Sequence, residues 1–335
     1  SNSNRTFTLD PYDNLTFGPT YLTRVTTGVK DTAGNALSSQ YDSSTGFTTL
    51  TPSSYQMGGS IQGTELSLST AVTTFAGSSS GSTDATGTSA SFDTPFGITT
   101  DGTNLYVADR GNHRIRKIVI DNGTVTTLAG SSTGYADNAT GTSASFDTPY
   151  GITTDGTNLY VTDHGNHRIR KIVIDNGTVT TLAGSSSGNT DATGTSASFN
   201  YPTGITTDGT NLYVSDQSNQ RIRKIVISTG VVTTLAGSGS QGLGDHPTGT
   251  SASFKYPNEI TTDGTNLYVA DQSNHRIRKI VIDNGTVTTL AGSSTGYADN
   301  ATGTSASFSE PFGITTDGTN LYVSDPGNHR IRKIE

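Results

Sequence analysis

GITTDGTNLYVADRGNHRIRKIVIDNGTVTTLAG, Gly97 to Gly130, decides the fold. GITTD (97–101) and NLYVAD (104–109) are β-prone runs separated by Asp-Gly-Thr, a tight antiparallel hairpin signal. RIRKIVI (114–120) and TVTTLAG (124–130) are separated by Asp-Asn-Gly, a second hairpin signal. Four short antiparallel strands in 34 residues make one small sheet.

The same text is written five times. The Asp that closes LYVxD falls at Asp109, Asp163, Asp216, Asp271 and Asp325, at spacings of 54, 53, 55 and 54 residues. Each sheet is too small to bury its own faces, so repeats of this kind stack into a ring of blades. The expected fold is all-β, a five-bladed β-propeller over residues 65–335. The last copy stops at Ile334 with three strands, whereas Ala71, Val72, Thr73, Thr74 and Phe75 repeat the text of a fourth strand. That segment is expected to close the ring beside Arg330, Ile331 and Ile334, removing the exposed edges of an open fan. A six-bladed ring in a longer native chain is the alternative.

Pro95 to Ile118, PFGITTDGTNLYVADRGNHRIRKI, resembles an NHL repeat in its Pro-x-Gly opening, its Asp-Gly turn, LYVAD and the Asn-His-Arg-Ile stretch. The resemblance covers roughly residues 70–335 and implies a propeller that is usually a binding platform. Some NHL proteins are lyases with a metal near the central channel, which gives the runner-up reading. NHL rings commonly have six blades, against five copies here.

Residues 14–49 read differently, with YLTRVTTGV as a strand, KDTAGN as a turn and GFTT as a closing strand. Tyr21, Val25, Gly28, Val29, Asp31, Gly34, Asn35, Leu37 and Phe47-Thr48-Thr49 resemble the second half of a bacterial Ig-like domain of surface proteins. The expected partition is a partial Ig-like domain at 1–50, a Ser/Gly/Pro-rich linker at 51–64 and the propeller at 65–335. A whole sandwich takes about 100 residues, so Ser1 is not expected to be the native start. The missing strands are either absent from the sequence or supplied by another subunit in a homo-assembly.

Comparison of the five copies locates candidate function. Strand text is nearly constant, and differences gather at the end of the ring expected to carry the long interblade connections and the DxxN loops. Phe96, Tyr150 and Phe312 share one position, where the other copies have Thr203 and Asn258. Tyr201 and Tyr256 lie nearby, and the DxxN loop varies through Arg110, His164, Gln217, Gln272 and Pro326. Aromatics beside mixed polar groups make a recognition surface for a protein or glycan. His113, His167, His275 and His329 are equivalent, with Gln220 in the remaining copy; recurrence around a ring points to a structural hydrogen bond. His164 and His246 break the pattern, yet no HxH or HxxxH spacing is present. With Arg110, His164 is the sequence's hint toward lyase chemistry. Asp-rich loops such as GYADNATG can offer oxygens to Ca²⁺, although turn chemistry explains them better.

A net charge of −8 without a basic face argues against nucleic acid and anionic membrane, and no apolar run reaches the ~20 residues of a spanning helix. Absence of Cys fits an exported bacterial protein folded without disulfides. The leading expectation is a noncatalytic extracellular or cell-surface scaffold, without a cofactor, that binds through its loop face.

Overall fold

The computed structural model describes residues 72–335 and, in backbone only, residues 20–21, 24–25, 41–42 and 47–48. The chain divides into two units, Ser1–Tyr55 and Gln56–Glu335. In the first, β1 (Thr20–Tyr21) pairs antiparallel with β4 (Phe47–Thr48), and β2 (Arg24–Val25) with β3 (Tyr41–Asp42). The expected linker and Ala71 lie outside the described residues.

The second unit holds five blades. In the first, β5 (Pro95–Thr100), β6 (Asn104–Asp109), β7 (Arg114–Val119) and β8 (Val125–Ala129) form a four-stranded antiparallel meander. The second to fourth blades repeat it as β9–β12 (residues 149–183), β13–β16 (202–236) and β17–β20 (257–291). The fifth has β21 (Ile314–Thr316), β22 (Leu321–Asp325) and β23 (Arg330–Ile334). The hairpins form where the text puts them. Asp101 Oδ1 accepts the N–H groups of Thr103 and Asn104 at 2.8 and 2.7 Å, its Oδ2 accepts the Tyr106 hydroxyl at 2.7 Å, and Gly102 takes φ 86°.

The core lies between blades. Tyr106, Ala108, Ile115 and Ala129 of the first blade pack against Phe146, Ile152, Leu159 and Val161 of the second, and the next seam repeats the arrangement. Each fully buried Ile or Phe contributes about 1.5–3 kcal/mol. The second Arg of each RIRK is sealed in this core. Arg223 Nη1 bonds Asp216 at 2.7 Å and Ser198 O at 2.9 Å, and Nη2 bonds Asp191 at 2.6 Å and Thr190 O at 3.0 Å. Its Cζ lies 5.0 Å from the Phe199 ring centroid.

Two expectations change here. The long interblade connection does not stay at the loop end; it runs down the outer edge of the following blade. Asp84 accepts the Thr127 N–H at 2.9 Å, Ala85 O accepts Val125 N–H at 2.8 Å, and Gly123 O accepts Gly87 N–H at 2.9 Å. An outer strand with unpaired amides needs such a cover, and the Gly/Ser/Thr strap supplies it.

The closing contact also differs. Residues 72–75 have no strand pairing, Val72 is 97% exposed and Phe75 45%. Gly77 N–H donates to Gly87 O at 3.1 Å, the bond that Gly130, Gly184, Gly237 and Gly292 make at the other seams. The segment therefore docks on the first blade as a fourth strand docks on its successor, without joining Arg330, Ile331 and Ile334. Among the described residues no strand pairs with the free edge of β23. Ile331 is 73% exposed and Ile98 60%, whereas Ile115, Ile169, Ile222 and Ile277 are fully buried.

Candidate functional site

Each blade reaches the loop end through two short pieces. One is the opening of its first strand, preceded by a residue with positive φ (Thr94, Thr148, Tyr201, Tyr256, Glu310). The other is the 3-10 turn after its second strand, which ends on His113, His167, Gln220, His275 or His329 in the left-handed conformation. These pieces are stitched across seams. His113 Nδ1 accepts Thr148 N–H, His167 Nδ1 accepts Tyr201 N–H and His275 Nδ1 accepts Glu310 N–H, each at 3.1 Å, while Gln220 Oε1 accepts Tyr256 N–H at 2.7 Å. The recurring imidazole is thus a backbone acceptor between blades.

The stitching gathers most of the sequence candidates into one stack. Phe312 lies 5.6 Å from Phe96, Phe96 4.1 Å from Tyr150, Tyr150 5.3 Å from His164, and His164 5.0 Å from Tyr201. Arg110 Cζ lies 5.7 Å from the Phe96 centroid and 5.8 Å from that of Tyr150, within cation–π range. His164 Nδ1 donates to Pro202 O at 3.1 Å, and burial holds its pKa below the ordinary imidazole value. Burial likewise pushes the Tyr150 hydroxyl well up. Gln272 Oε1 accepts Asn258 Nδ2 at 3.0 Å. Gln217 and Tyr256 have no ring contact with the stack.

Beneath the stack lies a cavity of about 680 Å³ lined by the first strands of all five blades. Its apolar wall includes Ile152, Ile205 and Ile260, and Glu259 is its one carboxylate. Sequence reading passed over Glu259, although comparing copies exposes it: PNEIT stands where the others have PFGIT, PYGIT and PTGIT. Burial raises its carboxyl to about 7. The acidic loop side chains Asp84, Asp137, Asp191, Asp245 and Asp299 meet the buried arginines at 2.6–2.7 Å. Among the described residues no three His, Cys, Asp or Glu side chains cluster as a metal site would need.

Residues 1–49 match the bacterial Ig-like domain family. NHL repeat-containing protein 2 of Gallus gallus is 30% identical over 303 residues, covering 78% of this chain and 41% of that protein. The chain thus spans about two fifths of the length of the curated relatives it matches. Two solved structures share the fold. A nidogen/laminin complex superposes with a TM-score of 0.52 at 20% identity, over 72% of this chain and 76% of that one. An auxiliary nutrient binding protein from Bacteroides thetaiotaomicron gives 0.50 at 18% identity, over 73% and 69%. Ring and seams define a β-propeller. The chain is an NHL-repeat propeller preceded by a bacterial Ig-like segment.

Proposed function

We propose that the protein is a noncatalytic binding propeller of the bacterial surface or exterior, whose loop end recognises a protein or glycan. The observation that carries this reading is the stack Phe312–Phe96–Tyr150–His164–Tyr201 with Arg110 upon it. It assembles residues that differ among copies whose scaffold is otherwise constant. Phe96 and Tyr201 are 36% and 44% exposed, so flat aromatic faces stand ready beside a cation. The repeated imidazoles serve the scaffold instead of chemistry. The Ig-like match supports an exported protein, and the nutrient-binding fold relative keeps to the same kind of task.

The test is a glycan array and a panel of purified surface proteins, read by surface plasmon resonance with the whole chain. Phe96→Ala and Tyr201→Ala are each expected to weaken the best binder by about fivefold or more, the mark of an interface anchor. Unchanged binding in both variants would remove the loop end from the reading.

A further inference from the structure

The cavity beneath the stack carries a chemistry of its own. At the first-strand position held by Gly97, Gly151, Gly204 and Gly313, the chain has no room for a side chain at three seams. A Cβ on Gly204 would stand 2.6 Å from Asn258 O, and those on Gly97 and Gly151 would collide with Tyr150 O and Thr203 O. The fourth blade escapes because the strand beside it is short. β21 begins only at Ile314, and Phe312 O instead accepts the Glu259 N–H at 3.4 Å. Glu259 fills the space so released, partly buried in the cavity wall.

A carboxylate is costly in such a place unless it is paired, and no Arg, Lys or His pairs with it among the described residues. The carboxylate accepts the backbone N–H of Ile260, and the Tyr150 hydroxyl is near enough to feel the Glu259 charge and to meet Asn258. Asn258 is itself buried, and its Oδ1 has no hydrogen-bond partner. Asn258 Oδ1 is thus an acceptor without a donor, beside a Glu259 carboxylate that has one backbone donor and no counter-charge. Phe96, Phe312, Ile152, Ile205 and Ile260 line the same cavity as Glu259. The cavity wall carries no Arg, Lys or His. A bare metal ion would want several oxygen ligands of like charge, and the cavity wall has one carboxylate. An anion would be repelled.

We propose that this cavity binds a small organic cation, an ammonium group on an apolar body, with the charge at Glu259 between Phe96 and Phe312 and the body against the isoleucines. A volume of about 680 Å³ suits a molecule of that size. The site does not rest on the loop-end reading, with which it shares Phe96, Phe312 and the neighbouring Tyr150.

Calorimetry with the whole chain at pH 8 tests it, using phenethylamine and benzyltrimethylammonium as probes, with 2-phenylethanol, 3-phenylpropanoate and CaCl₂ as controls. Both ammonium probes are expected to bind at least about tenfold tighter than the neutral alcohol, and the carboxylate not at all. Glu259→Gln and Glu259→Gly, the latter restoring the residue of the other copies, should each abolish that preference. Tyr201→Ala and Tyr256→Ala should leave it intact, so a failure here is distinct from one at the loop end. Absence of ammonium binding up to 10 mM, equal affinity for alcohol and amine, survival of the preference in Glu259→Gln, or tighter binding of Ca²⁺ would each overturn the proposal.

Discussion

Replacing Arg223 by Met tests whether the arginines of the repeat are scaffold. The side chain is fully buried and makes four hydrogen bonds, two of them to carboxylates. Met keeps much of the volume and contact with Phe199, so cavity formation is a minor part of the cost. Asp216 is also fully buried, and without the guanidinium it keeps Asn219 Nδ2 and Asn200 N–H as donors but loses its counter-charge. Removing one partner of a buried pair costs about 3–5 kcal/mol. Ser198 O loses its guanidinium donor, whereas Thr190 O still accepts Ser198 N–H at 3.2 Å, so about 4 kcal/mol is the working figure. Asp191→Asn is the control. Its side chain is 45% exposed, and solvent screening holds its pair with Arg223 to about 0–1 kcal/mol. Urea unfolding followed by circular dichroism reads both, with the slope checking that the denatured state is unchanged. The pH dependence adds a second constraint. Burial pushes Asp216 up and Arg223 pulls it down; with Arg223 gone only the hydrogen bonds from Asn219 and Asn200 oppose the push, and protonation relieves the stranded charge. The deficit of Arg223→Met should therefore widen as pH rises and narrow toward pH 4. A loss under about 1 kcal/mol, or one equal to that of Asp191→Asn, would refute the view that this pair is sealed in the core.

Other outcomes follow from the same geometry. Glu259, raised from 4.5 to about 7 by burial, stabilises the fold when protonated and ceases to do so as pH climbs through that range. Relative to Glu259→Gln, the wild type should lose about 1–3 kcal/mol between pH 4.5 and 8 in thermal melts, the lower figure allowing for its partial exposure; parallel curves would contradict this. His167→Gln should melt near wild type, because Gln220 already does the same task in another blade, whereas His167→Ala orphans Tyr201 N–H and should cost about 1–2 kcal/mol. Gly204→Ala forces a Cβ to 2.6 Å from Asn258 O and should cost about 1–3 kcal/mol by overpacking. Gly209→Ala, at φ 87° in open space, carries only backbone strain of about 1–2 kcal/mol. A Gly204→Ala variant that melts with the wild type would deny the close approach of neighbouring first strands.

The blades were legible because turn chemistry and strand text recur in phase: Asp101-Gly102 and Asn122-Gly123 mark hairpins without help from tertiary contacts. The role of the repeated imidazole also followed from its symmetry. The fate of Arg116 and its equivalents was hidden for a physical reason. A propeller blade is covered on both faces, so alternation of apolar and polar residues no longer says which face meets water, and RIRK reads equally well as an exposed charged strand. The strap at residues 80–87 carries no strand signature, since its pairing with β8 uses isolated bridges and the Asp84 carboxylate. The stack came out of the variable positions of the five copies. Glu259 was equally visible there, but its meaning needed the crowding at the neighbouring glycines to be seen.

Five nearly identical copies pose a problem of address, because any strand of one copy can in principle pair with its counterpart in another and tangle the chain during folding. The strap answers it. Asp84 reaches Arg116 and Thr127 of the blade that follows it, and Asp137, Asp191 and Asp245 repeat this in turn. Strap, buried arginine and outer strand therefore belong to one contiguous run of chain, so each copy can recognise its own parts before it meets a neighbour. A repeat locked from within can be copied along a gene without teaching the copies to tell themselves apart.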